Sequence, residues 1–71
     1  MELSARNQLS GTVTGIKRGG VMAEITVEIA GGHELVSVIT RASAERLGLK
    51  AGDQATAIIK STEGVLGKFG T

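Results

Sequence analysis

The chain has 71 residues, 41% of them apolar, with six each of Val, Ile and Leu, one aromatic residue (Phe69), 11 Gly and no Cys, Pro, Trp or Tyr. Eight Lys and Arg stand against seven Asp and Glu, a net charge of +1. Those counts allow one small domain. They exclude a disulfide scaffold and a cysteine-based zinc module, a membrane-spanning helix and a strongly basic nucleic-acid footprint. The opening Met-Glu-Leu-Ser-Ala-Arg-Asn-Gln lacks the basic and apolar regions of a signal peptide, so the expected compartment is the cytoplasm.

Strand patterning dominates. Leu9 to Ile16 reads as a first strand, with Leu9 and Val13 in phase and Ile16 out of phase. Gly11 and Gly15 interrupt it, as glycines do at bulges and sharp bends. Lys17-Arg18-Gly19-Gly20 reads as a hairpin turn. Val21 to Ile29 is the clearest element: Val21, Ala23, Ile25, Val27 and Ile29 share one face, and Met22, Glu24, Thr26 and Glu28 the other. Strict period two marks a half-buried antiparallel strand. Ala30-Gly31-Gly32-His33 is a second turn signal. Leu35 to Thr40 is apolar on both faces, which predicts a central strand or one covered on both sides. Thr40 to Leu49 is the helix candidate, with Thr40 or Ser43 as its cap and Gly48 as its left-handed C-terminal residue. After a turn over Lys50 to Gln54, Ala55 to Thr62 reads as a strand, and a fifth short one is expected near Val65–Leu66.

This order predicts an all-β fold: a small Greek-key barrel of the oligonucleotide/oligosaccharide-binding type, about five strands, with one short helix between strands 3 and 4. A small open antiparallel sheet is the fallback. The whole chain, 1–71, makes one domain, with 66–71 as a tail. A core this short of aromatic bulk predicts a homo-oligomer, because association adds burial that the monomer lacks.

Few residues suggest chemistry. His33 is the only His and sits in a turn, with no other His or Cys to share a metal. Glu24 and Glu28 read as the solvent face of a strand. The glycine pairs at 19–20 and 31–32 fit turns rather than a P-loop. A nucleic-acid barrel would need stacking platforms that Phe69 alone cannot supply. What remains is a set of donors: Ser4 and Arg6 in the opening, Thr40 at the end of the third strand, Lys60 and Ser61 at the end of the last. Each has an ordinary surface reading. Together they offer many donors, two of them cationic, for an anion.

The segment Ser4-Ala5-Arg6-Asn7-Gln8-Leu9-Ser10-Gly11 resembles the opening signature of the molbindins, small molybdate-binding proteins whose module also occurs in TOBE domains. The resemblance continues through Ala23 to Gly32, Ser37-Val38-Ile39-Thr40, Glu45 to Gly52, and Ala57-Ile58-Ile59-Lys60-Ser61-Thr62-Glu63. It covers about residues 3 to 63 and departs at the glycine-rich C-terminus, Gly64 to Thr71. It implies a small barrel assembling as a hexamer, a trimer of dimers, that binds molybdate and tungstate at subunit interfaces and catalyses nothing. By position it implies Ser4, Arg6, Thr40, Lys60 and Ser61 as oxyanion-binding residues, some from one subunit and some from its neighbour. It implies further sites on threefold axes, for which Gly19, Gly20 and His33 are the candidates. The expected role is intracellular molybdenum storage and homeostasis, without membrane or nucleic-acid partners. An oxyanion-sensing regulatory or protein-interaction module and a molybdenum–pterin site are the alternatives; the lack of aromatics counts against a pterin.

Overall fold

A computed structural model describes residues 7–68. Its elements in chain order are β1 (Asn7–Arg18), β2 (Met22–Ile29), β3 (Glu34–Thr40), α1 (Arg41–Leu47) and β4 (Gln54–Ile59). Short 3-10 turns follow β2 at Ala30–Gly32 and β4 at Ser61–Glu63. All pairings are antiparallel, in the order β3-β2-β1-β4, so the fourth strand returns to lie beside the first. That is a Greek-key arrangement, and the sheet curls into a half-barrel. The all-β class and the helix between the third and fourth strands match the sequence reading.

Three expectations change. Among the described residues the sheet has four strands, and Val65–Leu66 carries none. The last strand stops at Ile59 rather than Thr62, because the chain turns into the 3-10 segment at Ser61. β3, expected to be central or covered on both sides, is an edge strand with one neighbour. Its Val36 and Val38 face outward, 57% and 60% exposed.

β1 organises the rest. Its first half pairs with β4 from Asn7↔Ile59 to Thr12↔Gln54, and its second half pairs with β2 from Gly11↔Ile29 to Arg18↔Ala23. Gly11 and Thr12 are paired on both sides. At Gly11 a side chain has no room: a Cβ would meet the Glu28 carbonyl oxygen and come within 2.8 Å of Val27 Cγ1. The register shifts between Val13 and Gly15, which makes Thr14 the extra residue of a bulge. The bulge restores phase, so Ile16, opposite Ile25, returns to the same face as Val13.

The inner face carries a thin core of Val13, Ala23, Ile25, Val27 and Ala44. Ile16, Ile29, Ile39, Leu49 and Ala55 pack partly buried against it. Three of the core residues are the predicted inward face of β2. Helix α1 contributes Ala44. It starts at Thr40, whose Oγ1 accepts the Ser43 N–H at 3.1 Å, and ends at Gly48 in the left-handed region at φ 64°. Such caps satisfy backbone groups that a two-turn helix otherwise leaves open.

Candidate functional site

The candidate donors among the described residues, Thr40, Lys60 and Ser61, fall into two groups. Lys60 directly follows Ile59, which pairs with Asn7, so Lys60 and Ser61 lie past the N-terminal end of β1. Ala55, Ala57 and Ile59 are the half-buried positions of β4, and Lys60 continues the exposed phase of Gln54, Thr56 and Ile58. Backbone bonds fix the turn here: the Glu63 N–H donates to the Lys60 carbonyl at 2.9 Å, and the Gly64 N–H to the Ser61 carbonyl at 3.4 Å. Among the described residues, none makes a hydrogen bond or ion pair with Lys60 Nζ or Ser61 Oγ. An ammonium and a hydroxyl thus stand on consecutive residues, and none of the described residues takes up their donors. Ser4 and Arg6 lie outside the described residues.

Thr40 lies at the other end. It pairs with Met22, one step beyond the Ala23↔Arg18 pair that closes β1. The 12 residues of β1 therefore separate the level of Thr40 from that of Lys60, and the two sit on opposite edge strands. Thr40 also alternates with a cavity-lining residue, Ile39, so it too faces outward. One chain brings Lys60 and Ser61 together and leaves Thr40 apart.

The Thr40 hydroxyl is already engaged. Its Oγ1 donates to Ser43 Oγ at 2.7 Å while accepting the Ser43 N–H. Arg46 Nη2 donates to the same Ser43 Oγ at 3.3 Å. Ser43, considered from the sequence only as an alternative cap, is the acceptor at the centre of this end. The i, i+3 spacing of Thr40 and Ser43 is the signal that pointed there. Arg41 is held by Glu45 at 2.9 Å and donates Nη1 to the Gly19 carbonyl at 3.3 Å, which ties α1 to the β1–β2 hairpin. Gly19 and Gly20 form that hairpin, and His33 is exposed before β3. Among the described residues, no group of three or more His, Cys, Asp or Glu side chains converges as a metal site would require.

Between the unpaired edges of β3 and β4 the half-barrel opens into an apolar cavity of about 480 Å³, lined by Val13, Ile25, Leu35, Leu49, Ala57 and Ile59 among others. No helix among the described residues is long and apolar enough to cross a membrane.

Residues 3–64 match the TOBE domain. The chain belongs to the TOBE domain family. Molybdenum-pterin-binding protein 1 of Clostridium pasteurianum is 52% identical over 63 residues, which cover 89% of this chain and 93% of that protein. Among solved structures, apo MopII from Clostridium pasteurianum superposes with a TM-score of 0.90 at 48% identity, covering 94% of this TOBE chain and 100% of that one. The molybdate binding protein from Sporomusa ovata gives 0.89 at 44% identity, covering 96% and 100%.

Proposed function

We propose that this TOBE domain binds molybdate and tungstate at sites shared between copies of the chain, as an intracellular store or buffer, and that it catalyses no reaction. The observation that carries this reading is the division of the donors. Lys60 and Ser61 stand past one end of β1, with side chains bound by none of the described residues, while Thr40 faces outward past the other. Side chains facing outward on opposite edges diverge, so two copies are needed to close donors around one small ion. The relatives' names supply the ion: they are molybdenum-pterin- and molybdate-binding proteins.

The chemistry of the donor set favours such an ion. Molybdate and tungstate are unprotonated dianions at neutral pH, whereas phosphate is partly protonated and needs an acceptor. A site built of donors leaves that proton facing another donor, and an unsatisfied buried group costs about 1–3 kcal/mol. On this reading Arg6 chelates two oxygens, Lys60 supplies a point charge, and Ser4, Thr40 and Ser61 add neutral donors. Sulfate carries the same charge in a smaller ion, and rigid donors fixed by two sheets disfavour it by holding their spacing.

Assembly belongs to the same reading. Among the described residues five are buried, a small core, and the open apolar cavity gives a further copy surface to cover. We propose a cytoplasmic homo-oligomer, a hexamer as the resemblance implies.

The test is titration calorimetry of the full chain with molybdate in millimolar sulfate and phosphate. Saturable heat that survives both competitors supports the reading. Arg6→Ala and Lys60→Ala should each weaken binding about tenfold or more, the loss of one charge-assisted hydrogen bond. No heat at two temperatures overturns it.

A further inference from the structure

A hydroxyl has one proton to give and two lone pairs to receive. Thr40 Oγ1 accepts the Ser43 N–H at 3.1 Å and donates to Ser43 Oγ at 2.7 Å, so its one proton is taken. Ser43 Oγ accepts from both Thr40 and Arg46 Nη2, which turns its own proton away from the two of them. Arg46 differs from Arg41 on the same helix. Arg41 is bound by Glu45 and ties α1 to the Gly19 carbonyl, whereas among the described residues Arg46 meets no carboxylate and donates to Ser43. Two donors therefore converge on Ser43, and the Thr40 hydroxyl in this arrangement has no proton left for an anion.

We propose that Ser43 and Arg46 are positioning residues that set selectivity: they make the Thr40 hydroxyl a donor, and never an acceptor, toward the oxyanion. The inference rests on the reading above, in which Thr40 binds the ion. To reach an ion, the Thr40 proton must leave Ser43. The 2.7 Å contact is kept if the bond reverses, with Ser43 Oγ–H donating to Thr40 Oγ1. Both hydroxyls rotate, and no proton changes oxygen. Thr40 Oγ1 then accepts the N–H and the O–H of Ser43, which fills both lone pairs, and its proton points to the ion. Arg46 still donates to Ser43 Oγ. The chain now runs from a cation through two hydroxyls to a dianion, and each bond polarises the next. Selectivity follows from the filled lone pairs. A hydroxyl on its own can turn and accept the proton of hydrogen phosphate, but a Thr40 oxygen already occupied by Ser43 cannot. Sulfate carries no proton, so this device leaves it untouched.

The experiment is titration calorimetry of the full chain with molybdate, alone and in competition with phosphate or sulfate at neutral pH. Ser43→Ala keeps the backbone N–H that Thr40 accepts, so the cap remains and circular dichroism should report an unchanged fold and melting point. In that variant the freed lone pair of Thr40 should strengthen phosphate as a competitor about fivefold or more relative to sulfate, because the phosphate proton gains a partner. Arg46→Ala should weaken molybdate about threefold or more, and Arg46→Lys, which keeps a charged donor, should recover most of the loss. Placed on a Thr40→Ala chain, Arg46→Ala should add nothing, since its charge acts through the Thr40 hydroxyl. An unchanged phosphate-to-sulfate ratio in folded Ser43→Ala overturns the inference; this arm needs no Thr40 variant. So does an Arg46→Ala loss that is equal with and without Thr40, the mark of a charge acting directly on the ion. Wild-type molybdate affinity in Thr40→Ala removes Thr40 from the site and overturns the inference, while the molybdate reading stands. A wild-type chain that binds no molybdate overturns both.

Discussion

Gly11 stands where β1 is hydrogen-bonded on both sides, opposite Ile29 on one strand and Ala55 on the other. In a Gly11→Ala variant the new methyl would meet the Glu28 carbonyl oxygen, with Val27 Cγ1 at 2.8 Å and Glu28 C at 3.0 Å. None of these atoms can swing aside: two are backbone in a paired strand, and the third belongs to a buried valine. Overpacking of this kind costs about 1–3 kcal/mol. Alanine recovers about 0.5–1 kcal/mol of the entropic penalty of glycine in a strand. The net expectation is a loss of about 1–2 kcal/mol, or about 5–15 °C in melting temperature for a domain of this size. Gly15 is the internal control. It lies in the same strand, but a Cβ there finds only Thr26 Cβ at 3.7 Å and Thr26 Oγ1 at 3.8 Å, ordinary contact. Gly15→Ala should hold stability level or raise it by up to about 1 kcal/mol. Circular dichroism melts of both variants at one chain concentration make the comparison, since association makes the midpoint concentration-dependent. A Gly11→Ala midpoint within about 2 °C of wild type, or a Gly15→Ala loss as large as that of Gly11→Ala, would refute the account of how β1 bends.

Gly48→Ala should cost about 1–2 kcal/mol in urea unfolding, because φ is 64° there and open space around the residue leaves backbone strain as the only cause. Thr40→Asp separates two roles of one residue: aspartate caps α1 as well as threonine does, so stability should hold to within a few tenths of a kcal/mol. The same substitution should abolish molybdate binding in calorimetry, since it aims a carboxylate at a dianion. Glu45→Gln should change stability by less than about 0.5 kcal/mol, because the Arg41–Glu45 pair is roughly half exposed at i, i+4 spacing.

Local pattern carried a good deal of this fold. Period two in β2 named Ala23, Ile25 and Val27 as core, and they are buried. The Thr40 cap and the left-handed Gly48 were readable from residue type and spacing, since each answers a local backbone need. Even the phase error between Val13 and Ile16 was visible, and the bulge at Thr14 is its cause. What could not be read was adjacency. Alternation says which side chains share a face and nothing about which strands are neighbours, so β3, apolar on both faces, was expected in the middle and lies at an edge. The candidate site divides along the same line. Lys60 and Ser61 are consecutive, and their nearness is guaranteed by the chain. The separation of Thr40 from them depends on the strand order, which no local signal encodes, and Ser4 and Arg6 lie outside the described residues.

A ligand shared between copies has a consequence for stability that a ligand held within one chain does not. At a free molybdate concentration 100 times the dissociation constant, binding adds about 2.7 kcal/mol to the assembled state. A domain of this kind has only about 5–15 kcal/mol in total, and among the described residues of this one five are buried. On the proposed reading, saturating molybdate should raise the melting temperature by about 10 °C or more. It should also hold the assembly together at dilutions where the ion-free chain dissociates. Thr40→Asp, folded but unable to close the site, should show neither effect. Dilution decides between the two geometries: a site within one chain would give a shift with molybdate but leave the mass of the diluted protein unchanged. Light scattering across a dilution series, with and without the ion, measures that difference, and an ion-independent mass would break the link between site and interface.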